Sequence, residues 1–109
     1  MVVIEDRQQD QWAARRFVRS LGVSDEILSE TQKTNPDLDW LSLVYALDRV
    51  FLTYGGTMAQ SRFFREAQDS LSGNAPIEVL AAAGGPTRVC EAAHVFAAEG
   101  RQALASATS

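Results

Sequence analysis

Residues 63–86 read Phe-Phe-Arg-Glu-Ala-Gln-Asp-Ser-Leu-Ser-Gly-Asn-Ala-Pro-Ile-Glu-Val-Leu-Ala-Ala-Ala-Gly-Gly-Pro. Two helical patterns meet in this stretch. The first carries Phe63, Phe64, Ala67 and Leu71 and stops at Ser72-Gly73-Asn74-Ala75. The second opens at Pro76, runs through Ile77, Glu78, Val79 and Leu80 to Ala83, and is closed by Gly84-Gly85-Pro86. Gly73 can take the left-handed conformation that ends a helix, and Pro76 has the fixed φ of a first helical turn. The spacing therefore predicts a tight helix corner at 73–76, which speaks to shape and not to chemistry.

Working outward, the 109 residues, 46% of them apolar, suit one domain with one core. The Ala/Ser-rich end from Ala103 to Ser109 reads as a flexible tail. The start, Met1-Val2-Val3-Ile4-Glu5-Asp6, has no basic region followed by an apolar core. The longest mostly apolar run, Leu41 to Leu47, is far short of the roughly 18 residues of a membrane span. A single cysteine, Cys90, excludes an internal disulfide and a cysteine-built zinc site within the chain, so a soluble protein of the reducing cytoplasm is expected. The formal charge of −4 argues against a broad field for nucleic acid. It is unevenly spread: Arg7, Arg15, Arg16 and Arg19 enrich the first segment, and Asp25, Glu26, Glu30, Asp37 and Asp39 the next.

Along the chain, Trp12, Ala13, Phe17 and Leu21 mark an amphipathic helix over Gln8 to Leu21. Ser24 ahead of Asp25-Glu26 starts a short second helix. Asn35-Pro36-Asp37 signals the start of the longest one, a central helix over 36–54. Trp40, Val44, Leu47, Phe51 and Tyr54 form its stripe, widened by Leu43 and Val50. So broad a stripe suits a core helix or a dimer seam. Thr57 with Gln60 forms a capping box for a fourth helix carrying Met58, Phe63, Phe64, Ala67 and Leu71. Val89, Ala92, Ala93 and Phe96 edge a last helix. No run alternates with period two, so the class is all-α: one compact helical domain of about six helices.

Phe63 through Val89 resembles the toxin-binding domain of the Xre/MbcA/ParS antitoxin family. Phe63 stands where that family usually has tryptophan, and Leu71, Gly73, Pro76, Glu78, Leu80, Gly84, Gly85 and Val89 stand at its other marker positions. With the preceding helix, the resemblance spans about residues 40–100. It implies a protein that neutralises a partner toxin by binding it. In the family that toxin is commonly of the RES type, which degrades nicotinamide dinucleotide, and the last helix and tail reach its active-site entrance. The implied division is an N-terminal helical segment 1–35, a toxin-binding domain 36–102 and the tail 103–109. The implied contacts are Arg88, Val95, Phe96, Arg101 and Leu104, and a homodimer through the long helix is expected.

Full-length members place a complete helix-turn-helix module ahead of this domain, whereas residues 1–35 hold two helix patterns. Leu21-Gly22-Val23-Ser24 reads as the turn of a shortened module, but Asp25, Glu26 and Glu30 on the second helix oppose phosphates. Arg15, Arg16 and Arg19 keep a DNA-binding regulator as the alternative, and an inhibitor of another host protein as a further one. Enzymatic chemistry has little to rest on. Cys90 and His94 lie one helical turn apart, with no third group to orient the imidazole. Gly84-Gly85-Pro86-Thr87-Arg88 lacks the spacing of a phosphate loop, and Glu78 and Glu91 are isolated acids. No metal, cofactor, small-molecule substrate or membrane is called for.

Overall fold

The computed structural model describes the backbone from Val2 to Thr108 and side-chain surroundings for residues 10–105. Six α-helices follow one another: α1 (Val2–Ser20), α2 (Asp25–Thr34), α3 (Trp40–Leu52), α4 (Gly56–Arg65), α5 (Pro76–Val79) and α6 (Gly85–Thr108), with a 3₁₀ turn at Asp69–Leu71 between α4 and α5. Among the described residues there is no strand, only one isolated bridge between Gln68 and Asn74. The chain is a single all-α domain.

One core cluster runs from Ala14 in α1 to Ala97 in α6, and α3 is the element that α1, α4 and α6 all pack against. Its centre is aromatic. Phe63 is fully buried, with its ring 5.6 Å from that of Phe51, 5.5 Å from Phe64 and 5.3 Å from Phe96. Tilted and edge-on rings such as these place positive edges against negative faces and add to the burial of their area. α3 and α6 run side by side in the same direction, with Phe51 beside Phe96 and the Tyr54 ring lying over Gly100.

Several boundaries and faces differ from the sequence expectation. The central helix does not span 36–54 but begins at Trp40, because Asp39 and not Asn35 caps it: Asp39 Oδ1 accepts from the N–H groups of Leu41 and Ser42. Nor is it the longest, since α6 has 24 residues. The Ala/Ser-rich end continues α6 to Thr108, and Ser109 lies outside the described residues. On α1 the inward stripe is Ala14 and Val18, continued by Leu21 just past its end, whereas Trp12 is 61% exposed with the Arg16 guanidinium over its ring. Ala13 faces out with it. The capping box at Thr57 is not formed. Gly55 takes the left-handed conformation before α4, and Gln60 is buried, its Nε2 donating to Asp48 Oδ1 at 3.1 Å. That half-buried carboxylate has its pKa raised by desolvation. Met58 points to solvent.

The corner is built differently from two abutting helices. α4 stops at Arg65 because Glu66 turns extended, so Ala67 and Leu71 are not on it. The Gln68 N–H then donates to Asn74 O, and Gly73 N–H donates back to Gln68 O, closing a compact loop. Ser72 and Gly73 both have positive φ, at 58° and 84°. Pro76 opens α5 as expected, and α5 is a single turn.

Asn35 joins the two halves of the molecule. Its Nδ2 donates to Thr31 O and to Ala82 O, each at 3.1 Å, and its Oδ1 accepts from Gly84 N–H at 3.0 Å. Asn35→Ala leaves two carbonyls and one N–H without these partners. A loss of about 1–2 kcal/mol is expected, read as a lower urea midpoint with unchanged slope.

A second polar tie fixes the start of α3. Gln11 donates to Asp39 Oδ1 and accepts from Trp40 N–H, and Trp40 Nε1 donates to Gln32. The Gln11 hydrogen bond, with those from the α3 backbone, holds the Asp39 carboxyl below its ordinary range. A depressed folded pKa gives stability that is fully present above the unfolded value, near 4, and lost as pH falls through the folded one. The stability difference between the parent and Asp39→Asn should therefore be constant above about pH 5 and shrink in more acidic solution. A difference that does not change with pH would contradict this assignment.

Candidate functional site

α6 carries all five of the expected partner contacts, and its geometry divides them. Residues seven apart on a helix return to nearly the same side. Arg88 and Val95 therefore share one exposed edge, while Cys90, His94 and Arg101 share the opposite edge, which faces α3. Val89, Ala92, Ala93 and Ala97 form the buried face between the two edges. Phe96 is half-buried among Phe51, Tyr54 and Phe63, with the Arg62 guanidinium 5.7 Å from its ring centroid, so its first role is packing. Leu104 is exposed beyond the end of the core, bordering a surface hollow with Tyr54 and Met58.

Between α3 and α6 lies a groove in two adjoining parts that share Ala46. The part nearer the start of both helices has a volume of about 630 Å³ and is lined by residues including Asp37, Leu38, Asp39, Leu43, Pro86 and Cys90. The further part, about 660 Å³, is lined by Ala46, Arg49, Val50, Thr53, His94 and Arg101. Arg101 Nη1 donates to Thr53 Oγ1 across it. Besides Leu43 and Val50, the wall from α3 and its C-cap carries Ser42, Ala46, Arg49 and Thr53, a small and polar edge at four, three and four. That spacing was visible in the sequence beside the apolar stripe, but an unpaired polar edge looks the same as an ordinary wet one.

The fold markers sit at structural positions. Phe63, Leu71, Leu80 and Val89 are fully buried, and Gly85 is packed against the end of α5. Glu78 is exposed on α5. At the turn into α6 two of the N–H groups that could face a phosphate are already used: Gly84 donates to Asn35 Oδ1 and Gly85 to Ala82 O.

The three arginines of α1 line one shallow hollow with Trp12, yet each has a partner within the chain. Arg15 donates to Ser29 Oγ and lies over the Trp40 ring, Arg16 lies over Trp12, and Arg19 pairs with Asp25 at 3.4 Å. Cys90 and His94 share an edge but form no hydrogen bond with each other among the described residues. Burial, with Glu91 adding to it, pushes the Cys90 thiol pKa up, the reverse of what a nucleophile needs. No group of three His, Cys, Asp or Glu side chains that could hold a metal occurs among the described residues. Among the described residues no helix is long and apolar enough to cross a membrane.

Comparison with protein-family models, with curated proteins and with solved structures returned no match.

Proposed function

We propose that this chain is an antitoxin-like binding protein of the cytoplasm, which neutralises a partner toxin by covering its active-site entrance with the end of α6. The observation that carries the reading is the exposure of α6. Arg88 and Val95 stand on its free outer edge, and residues 101–105 are all exposed where the helix passes the core. An exposed apolar side chain flanked by arginine is the composition of an interface anchor. The resemblance over Phe63 to Val89 supplies the partner class, a RES-type toxin that degrades nicotinamide dinucleotide. The chain itself is read as a binder and not an enzyme, and it needs no cofactor.

Co-expression with a small RES-type toxin encoded beside it tests the reading. The expected result is a co-purifying complex and suppressed dinucleotide loss, both relieved by Val95→Glu combined with Leu104→Glu. Toxin that stays active and uncomplexed in the presence of the parent chain would sink the proposal.

The homodimer belongs to the same reading. Tyr45 and Leu52 are both exposed, lie seven apart on α3 and so share one edge that is uncovered among the described residues. Leu52→Glu should convert a dimer to a monomer by light scattering, and a parent already monomeric at tens of micromolar would remove this part. A DNA-binding regulator is the second reading, favoured by the clustering of Arg15, Arg16 and Arg19 around Trp12. It predicts duplex binding that weakens steeply with salt.

A further inference from the structure

The α3–α6 groove has a polarity that none of the readings above uses. At its far end two guanidinium groups and an imidazole, from Arg49, His94 and Arg101, face one space from two different helices. They do so on a chain of net charge −4. Arg49 and His94 make no hydrogen bond or ion pair among the described residues, and Arg101 is held by Thr53 through one of its nitrogens, which leaves the rest of its fork free to donate. Ala46 joins this end to the apolar part of the groove between Leu43 and Pro86. The acids Asp37 and Asp39 are among the residues lining that part and repel an anionic head from it, which leaves the Arg49, His94 and Arg101 end as the place for one.

We propose that this groove binds a small amphipathic anion, its carboxylate or phosphate head between Arg49, His94 and Arg101 and its unbranched apolar body running past Ala46 toward Leu43. Arginine forks match the planar or tetrahedral oxygens of such heads with paired hydrogen bonds. Each part of the groove falls within the size range of small-molecule sites. The site lies on the edge of α6 opposite Arg88 and Val95 and shares Arg101 with the surface assigned to the toxin, so a change at Arg49, which is outside that surface, tests it separately.

Calorimetric titration of the full chain with decanoate, decyl phosphate, acetate and decanol tests it. Saturable binding of decanoate or decyl phosphate is expected, at least about tenfold tighter than acetate because the chain is buried as well as the head. Whichever of the two binds more tightly identifies the head group. Arg49→Gln, at a position with no intramolecular partner to lose, should weaken that binding by about tenfold or more with an unchanged melting temperature. Decanol bound as tightly as decanoate would reduce the groove to a greasy surface and overturn the proposal. So would an Arg49→Gln chain that binds like the parent, or the absence of any saturable binding.

Discussion

Phe63→Ala is expected to lose about 3–5 kcal/mol, enough to leave a domain of this size partly unfolded at room temperature. The ring is completely buried and touches Phe51, Phe64 and Phe96, so its removal deletes contacts to two other helices at once and leaves a space that α3, α4 and α6 cannot all close. Guanidinium unfolding followed by fluorescence of Trp12 and Trp40 would read it. A loss below about 1 kcal/mol would mean that the aromatic cluster is not the keystone of the core. The same position tests the family resemblance from another side. A tryptophan here is larger than the space Phe63 fills, so Phe63→Trp should cost about 1–3 kcal/mol through overpacking. A neutral or stabilising Phe63→Trp would show a core already shaped for the larger ring.

Gly85→Ala is the second severe change. A Cβ at this residue would stand 2.2 Å from Val79 O and 2.6 Å from Leu80 O, and both are backbone atoms that cannot rotate away. Relief requires α6 to lift off α5, at an expected cost of about 3 kcal/mol. Its neighbour supplies the control. Gly84 has φ of 72° and open space around its missing Cβ, so Gly84→Ala should cost only about 1–2 kcal/mol, from backbone conformation alone. The difference between two adjacent Gly→Ala changes then isolates the close approach. Equal costs at the two sites would mean that α6 sits less tightly on α5 than the geometry indicates.

The class of the fold was legible because helix stripes are set by period, and the strongest of them, Leu43, Leu47, Val50 and Phe51 on α3, are buried as the pattern required. Breaks were legible where glycine or proline forces them, as at Pro76 and around Gly84. Misreadings came where one residue had two uses. Asn35 has the chemistry of a cap but spends its side chain on Ala82 and Gly84, far along the chain, so the helix start passed to Asp39. Trp12 and Met58 are apolar but exposed, while Gln60 is polar but buried against Asp48, and only tertiary packing decides between those states. The groove was less legible still. Arg49 and Arg101 are 52 positions apart and meet only because α3 and α6 run in the same direction. No local pattern reports such a pairing.

The Asn35 side chain has a consequence for the order in which the molecule is completed. Its partners at residues 82 and 84 are synthesised nearly fifty residues after it, so that amide is left to water in a nascent chain until the turn before α6 has been made. The end of α2 is thereby tied to the start of α6 across almost half the chain, and completing that tie waits on the later segment.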